Sequence, residues 1–216
     1  GMIQSFPRSS RRARDRWQSL LEVLRLLHQH KLESAVVALE KALVRFPRSD
    51  LHLVLMTRLR FLQGKWEAAE ASLRMALALT THKIVPLYVE MARLMRWQNR
   101  ATQARNFLHQ ALALSPRHPQ VQVEMALLDA VNGQRSDRPL PTGGNAQVQA
   151  GIKLLQGLRA LGDRDAEKAG RLCQQAMQEG FYPEARVCYV QAVLDGAQHR
   201  RSVAPALGLL QLYRVP

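Results

Sequence analysis

The seven histidines are the residues of this sequence best suited to metal or acid–base chemistry: His28, His30, His52, His82, His109, His118 and His199. No two of them stand four residues apart, and the HExxH pattern does not occur. His28 and His30 are two residues apart and would point to different faces of a helix, so a metal site built on them would need a distant third ligand. The sequence therefore predicts no metal site.

The acidic and glycine-containing segments also lack a catalytic pattern. Asp163, Asp165 and Glu167 lie beside Arg164 and Lys168, and acidic side chains of this kind are favourable in the first turn of a helix. Neither of the phosphate-binding patterns GxxxxGK[ST] and GxGxxG occurs. We expect no catalytic residues and no cofactor, and we predict that the protein is not an enzyme.

The cysteines and the hydropathy pattern bear on the compartment. Cys173 and Cys188 are the two cysteines of the chain and do not form a CxxC motif. We expect them to be buried free thiols in a reducing compartment. No apolar run is long enough to cross a bilayer, and no signal-peptide pattern is evident. These features predict a cytoplasmic protein without a membrane span.

The charge is strongly basic and unevenly distributed. The chain has 31 Lys and Arg against 17 Asp and Glu, a formal net charge of +14. Residues 1–16 carry five arginines against one aspartate, and residues 51–118 carry ten basic side chains against three acidic ones. This excess favours acidic proteins, nucleic acid or anionic surfaces as partners.

The elements that position these residues show a repeat. Three segments, at 31–47, 65–80 and 100–116, each place an alanine, a leucine four residues on, and a second alanine three residues beyond. Successive copies are 34 and then 35 residues apart. A period near 34 with small residues at helical spacing is typical of stacked helix pairs. The residues concerned are Ala35, Leu39 and Ala42; Ala69, Leu73 and Ala76; and Ala104, Leu108 and Ala111.

A second amphipathic stretch precedes each copy, at residues 17–30, 50–63 and 84–98. Short turns at His30, Gly64 and Asn99 separate the two stretches of each pair. Glycine and asparagine tolerate the left-handed conformation that ends many helices. Each repeat is therefore predicted to be a helical hairpin.

This pattern resembles the tetratricopeptide repeat family over residues 17–133. The resemblance departs from the family pattern at the first turn, where His30 replaces glycine. It rests on Leu32, Ala35, Leu39, Ala42, Leu43 and Pro47 in the first repeat; Gly64, Trp66, Ala69, Leu73, Ala76 and Leu77 in the second; and Tyr88, Ala92, Ala104, Leu108, Ala111, Leu112 and Pro116 in the third.

A fourth copy begins at Pro119 and reaches Gly133, but two prolines and two glycines then occupy residues 134–145, where its second helix should follow. We predict a loop or hinge there. Helical patterns resume at 146–161, 165–179, 183–195 and 203–213. Residues 165–196 resemble Sel-like helical pairs at Lys168, Ala169, Ala176, Gly180, Ala185 and Gly196.

The resemblance implies an all-α fold, a right-handed α–α superhelix or solenoid of antiparallel helix pairs with about eleven helices. We expect a basic flexible arm at residues 1–16 and repeats at 17–133, the latter comprising three full copies and a lone helix. The loop or hinge at 134–145 would then lead to helical pairs at 146–216.

In the family that this chain resembles, the first helix of each pair lines a groove that contacts extended peptides. Carried over residue by residue, the groove of this chain would comprise Arg58, Phe61, Leu62, Val89, Glu90, Arg93, Arg96, Trp97 and Glu124. Such a surface would suit an amphipathic or extended segment with apolar anchors and some acidic residues. The alternative for Phe61 and Leu62 is core packing against the neighbouring repeat.

In the first of these stretches, Trp17 and the leucines after it are apolar on nearly every side. Such a helix needs another segment or chain to cover it. Its N-terminal arm, a second copy of the chain or a partner could each provide one. The candidate dimer or cap surface comprises Trp17, Leu20, Leu24 and Leu27.

Two functions compete. The first is a protein–protein interaction scaffold or chaperone-like adaptor that binds a peptide or helical segment of another protein in the groove. The alternative is sequence-nonspecific binding of nucleic acid by the basic surface, because the groove positions lack the repeated polar pairs that read bases. The sequence favours the scaffold.

Overall fold

The structure, a computed structural model, describes residues 8–80, 84–134, 138–180 and 182–200. Ten helices and no strand lie within these ranges, so the prediction of an all-α chain is confirmed. The helices are α1 Arg8–His28, α2 Leu32–Arg45, α3 Asp50–Leu62, α4 Trp66–Leu79, α5 Val85–Trp97, α6 Ala101–Leu114, α7 Pro119–Val131, α8 Ala146–Gly162, α9 Ala166–Glu179 and α10 Pro183–Arg200.

The repeated alanines and leucines are buried as the sequence predicts. All nine repeat positions in α2, α4 and α6 lie in the core, and eight of them have no exposed surface. Helix α9 continues the same spacing with Ala169, Cys173 and Ala176, each fully buried. Cysteine thus replaces leucine at the central position, and the small residues on either side allow close approach of neighbouring helices.

Each hairpin turns on one residue in the left-handed conformation. His30, Gly64 and Asn99 have φ values of 56°, 72° and 60°. At each turn the next residue's N–H donates to a carbonyl five residues earlier, as from Lys65 to Arg60 at 2.8 Å. Gly133 and Arg164 make the same turn after α7 and α8. The repeated turn is therefore a Schellman-type helix end.

Three predicted boundaries have different outcomes in the structure. Helix α1 begins at Arg8, so residues 8–16 are helical and the predicted flexible arm is wrong there. The interruption predicted at 134–145 lies between α7 and α8, where the Asn145 side chain accepts a hydrogen bond from the Val148 N–H at 3.0 Å. The eleventh helix, predicted at 203–213, lies outside the described residues.

The chain divides into two compact units, Gly1–Glu90 and Met91–Pro216, with the boundary inside α5. The core of the first unit includes Val23 of α1, Leu39 of α2, and Met56 and Leu59 of α3. The core of the second includes side chains from α7, α8, α9 and α10, among them Leu127, Leu154, Cys173 and Ala185.

The two cysteines form a disulfide, so the prediction of free thiols is wrong, although both are buried. Cys173 of α9 and Cys188 of α10 lie 15 residues apart, with a Cα–Cα distance of 6.0 Å. Gly157 of α8 makes room for the bridge, because a Cβ there would collide with the Cys173 sulfur and stand 3.3 Å from the Cys188 sulfur. The contact of three helices brings together residues that show no motif in sequence.

Candidate functional site

The first helix of each repeat presents one face with four equivalent positions. Steps of 34, 35 and 34 residues relate these positions along α1, α3, α5 and α7. They are Trp17, Leu51, Pro86 and Gln120; Leu21, Leu55, Glu90 and Glu124; Leu24, Arg58, Arg93 and Leu127; and His28, Leu62, Trp97 and Val131. The face is thus mostly apolar in the first two repeats and more polar in the next two.

In the first unit, the apolar side chains of this face are exposed. We call Trp17, Leu21, Leu24, Leu51, Leu55 and Leu62 the open face. Their exposed fractions are 54% for Trp17, 62% for Leu21, 47% for Leu24, 39% for Leu51 and 48% for Leu62, and Leu55 is half-buried. Single exposed apolar residues are ordinary, but six at repeat-equivalent positions form a surface typical of an interaction site.

A buried histidine joins the two helices of the open face. His52 of α3 has its Nε2 atom 2.8 Å from the Ser19 hydroxyl of α1 and its Nδ1 atom 2.6 Å from the Ser49 hydroxyl. The Ser19 hydroxyl donates to the Arg16 carbonyl at 2.8 Å. The His52 Nε2–H therefore donates to Ser19, and Nδ1 accepts from Ser49.

The Ser19–His52–Ser49 arrangement is structural. Burial lowers the pKa of His52, and the Arg16 charge lowers it further, so the ring is neutral near pH 7. Because the Ser19 proton is directed at a carbonyl and not at the imidazole, His52 is not placed to activate that serine as a nucleophile. The histidine instead fixes α1 beside α3.

An ion pair lies next to the open face. The Arg58 Nε donates to the Glu90 Oε1 at 2.8 Å, and the Arg58 Nη2 is 2.6 Å from the same oxygen. Glu90 is buried and Arg58 is about a third exposed. Both were predicted to line a groove, but their charges compensate each other.

In the second unit, the equivalent face is closed by a buried polar cluster. Arg93 and Arg96 of α5 both contact Glu124 of α7, and all three side chains are buried. The Arg93 Nε lies 3.6 Å from the Glu124 Oε1, and the Arg96 Nη1 donates to the Glu124 Oε2. The Gln120 side chain also donates to Glu124, at 2.7 Å.

Tyr182 and Glu184, at the start of α10, complete this polar cluster. The Tyr182 hydroxyl donates to the Glu124 Oε1 at 2.9 Å and accepts from the Gln120 amide at 2.8 Å. The Arg93 guanidinium lies over the Tyr182 ring, 4.7 Å from its centroid. The Arg96 Nε lies 2.8 Å from the Glu184 Oε1. The chain's own aromatic and acidic side chains thus occupy the predicted groove.

Two pKa shifts follow from this environment. Burial raises the pKa of the Tyr182 phenol, and the neighbouring Glu124 carboxylate raises it further. Burial alone would lower the pKa of Arg96, but the carboxylates of Glu184 and Glu124 outweigh it, and the net shift is upward. The phenol therefore stays protonated and donates, while the guanidinium stays charged.

The other predicted groove residues separate into buried and exposed groups. Phe61 is buried and packs edge-on against the Trp66 ring at 4.7 Å between centroids, so it belongs to the core. Val89 is buried, Trp97 is half-buried and Leu62 is exposed.

The predicted cap surface on α1 divides in the same way. Trp17 and Leu24 are exposed, Leu20 is buried and Leu27 is half-buried. Trp17 and Leu24 therefore contribute to the open face, whereas Leu20 contributes to the core.

Sequence reasoning missed Tyr182 and Glu184 as partners of this face, because 58 residues separate Tyr182 from Glu124 and 88 separate Arg96 from Glu184. No local pattern links positions so far apart. The one available signal was chemical, because apolar anchors and acidic residues are the types that we expected in a bound segment.

Within the described ranges, no group of three or more His, Cys, Asp and Glu side chains is placed to hold a metal ion. Nor is any helix there both long and apolar enough to cross a membrane.

Comparison with known proteins supports the fold. No protein-family model and no curated protein matches the sequence. Among solved structures, a tetratricopeptide repeat protein from Parabacteroides merdae matches at 14% identity and a TM-score of 0.54, over 82% of this chain and 84% of that one. A thermophilic tetratricopeptide repeat protein from Thermus thermophilus matches at 18% identity and a TM-score of 0.60, over 83% of this chain and 99% of that one. The chain therefore has the α–α solenoid fold of tetratricopeptide repeat proteins.

Proposed function

We propose that the protein is an interaction scaffold or chaperone-like adaptor whose open face binds an apolar segment of a partner protein. The observation that carries this proposal is that five apolar side chains at repeat-equivalent positions of α1 and α3 are exposed and a sixth, Leu55, is half-buried. Burial of this surface contributes roughly 25 cal/mol per Å² to binding, before the entropy cost of association.

The structure of the second unit supports this choice of surface. There, the equivalent face of α5 and α7 is closed by Tyr182 and Glu184. A partner could reach Arg93, Arg96 or Glu124 only by displacing buried hydrogen bonds, which is costly. We therefore assign partner binding to the open face rather than to these residues.

The partner segment needs large apolar side chains, at helical or extended spacing, that can pack against Trp17, Leu21 and Leu51. Acidic residues on either side of these anchors complement the net charge of +14 and accelerate association. Arg58 contributes little to this attraction because it already pairs with Glu90.

The Cys173–Cys188 disulfide favours an oxidising compartment over the predicted cytoplasm, because reducing systems keep cytosolic thiols reduced.

A second copy of the chain is a competing cover for Trp17, Leu21 and Leu24. Sedimentation velocity at micromolar concentration tests it: a monomer leaves the open face free for a partner, and a dimer that Leu21→Gln dissociates would overturn the proposal.

Selection from a displayed peptide library tests the proposal directly. We expect selected peptides to share apolar anchors and to lose binding to the Trp17→Gln/Leu21→Gln/Leu51→Gln variant. The matched control is Val44→Gln/Met75→Gln/Leu114→Gln, which removes three exposed apolar side chains from α2, α4 and α6. Equal losses in both variants would show general stickiness and contradict the assignment.

A further inference from the structure

Three arginines line one cleft in the first unit. Arg12 and Arg16 come from the first half of α1, and Arg48 comes from the connection between α2 and α3. The cleft has a volume of about 730 Å³ and includes Phe46 and Pro47 in its wall. The cleft adjoins the open face in sequence, because Arg16 directly precedes Trp17 and Ser49 lies two residues before Leu51.

Among the residues that the structure describes, no acidic side chain pairs with the arginines of this cleft. Within the described residues, Arg12, Arg16 and Arg48 form no ion pair, whereas neighbouring Arg45 pairs with Asp15 at 2.5 Å. Asp50 in the first turn of α3 is the remaining acid near Arg48 in sequence. Three arginines therefore line one cleft, and their charges attract an acidic ligand to it.

The beginning of α3 adds a second attraction for an anion. Ser49 is the N-cap residue of α3, but its side chain does not cap the helix. Its hydroxyl instead hydrogen-bonds to the His52 Nδ1 at 2.6 Å. The first amide groups of α3 therefore keep the partial positive charge of an uncapped helix start, beside the wall residue Ser49 of the cleft.

We propose that this cleft binds a single phosphate group, presented as a phosphomonoester. A phosphomonoester carries a charge near −2 and three terminal oxygens, which match three guanidinium forks better than a carboxylate with two oxygens does. The apolar ring of Phe46 limits solvent on one side and strengthens these ionic hydrogen bonds. This site goes beyond the proposed scaffold function and does not depend on it.

The buried His52 reports on the occupancy of the cleft. Burial and then the Arg16 charge lower the pKa of His52. A phosphate bound beside Arg16 offsets that charge, so the pKa of His52 should rise when the cleft is filled. The imidazole resonances therefore give a readout at the site itself.

NMR titration with inorganic phosphate and with O-phosphoserine, at constant ionic strength, tests the proposal. We expect both to perturb His52 and the first amides of α3 in a saturable way. The Arg12→Gln/Arg16→Gln/Arg48→Gln variant should lose about tenfold in affinity. The matched control, Arg11→Gln/Arg14→Gln/Lys41→Gln, removes the same charge from exposed positions outside the cleft and should bind nearly as the parent does.

Three results would overturn the proposal. If both variants lose affinity equally, the binding follows net charge and the cleft is not a site. If no saturable shift occurs at His52, the cleft does not bind phosphate. The third ligand in the titration is a short single-stranded deoxythymidine oligonucleotide without a terminal phosphate. Binding of this oligonucleotide as tightly as phosphoserine would show a nucleic-acid backbone track instead, whereas its failure to bind supports the phosphomonoester site.

Discussion

Glu124 illustrates what a single residue contributes to this fold. Its carboxylate is fully buried and is contacted by Arg93, Arg96, Gln120 and Tyr182. A buried carboxylate is tolerated only when its oxygens are satisfied in this way. Its position in the sequence predicted a groove residue, but the structure shows the centre of a closed network.

Glu124→Gln should lower the free energy of unfolding by about 3 kcal/mol, because it removes the buried negative charge that both Arg93 and Arg96 contact. Urea denaturation measures the change. The control is Glu22→Gln, which breaks an exposed pair with Arg25 and should cost less than about 0.5 kcal/mol. Similar losses in the two variants would contradict the closed network.

His52 predicts a pH dependence of stability. Because its pKa in the folded protein lies below the ordinary value of 6.5, the unfolded chain binds more protons as the pH falls below that value. Stability is therefore fully present above about pH 6.5 and declines as the pH falls towards the lowered pKa. Thermal unfolding across this range should show a smaller decline for His52→Gln than for the control His109→Gln, which removes an exposed histidine. Equal declines in the two variants would contradict the contribution of His52 to the pH dependence.

At the scale of elements, the sequence predicted the helical hairpins well because their causes are local. Alanine and leucine at fixed spacing set the contact between helices, and the turn at Gly64 follows from one residue type. Helix α1 was predicted to begin too late, since arginine-rich stretches are equally compatible with a solvated arm. The Asp15–Arg45 ion pair that ties this part of α1 to α2 joins positions 30 residues apart and has no local signal.

The left-handed turns give an element-scale prediction. His30 and Arg164 have φ values of 56° and 61°, which cost a residue with a side chain about 1 kcal/mol. His30→Gly and Arg164→Gly should each raise the free energy of unfolding by roughly that amount, as measured in urea. The reverse change, Gly64→Ala, should lower it by a similar amount. A loss of stability in the two glycine variants would contradict the shared turn.

The disulfide between α9 and α10 gives a second prediction at the scale of elements. Cys173→Ala/Cys188→Ala should lower the free energy of unfolding by about 3 kcal/mol, as expected for a closed loop of this length. Reductant should destabilise the parent protein and leave the variant unchanged. Detection of two free thiols in the unfolded, unreduced protein would contradict the disulfide.

For the whole molecule, the sequence predicted the fold class and the repeat-equivalent positions of one helix face, but not whether these positions are exposed or buried. The repeat-equivalent positions could be aligned by counting residues. In the second unit, their closure depends on Tyr182 and Glu184, at the start of α10, through contacts that span 58 to 88 residues. Such contacts are set by packing of the folded chain rather than by periodicity.

The most direct measurement of the central claim is site-specific photo-crosslinking in cells. A photoreactive phenylalanine analogue would replace Leu21 or Leu62 of the open face and, as controls, the exposed residues Val44 and Leu114. We predict that a partner protein is captured from Leu21 and Leu62 and not from the control positions. Capture of the same partner only from Val44 or Leu114 would contradict the account.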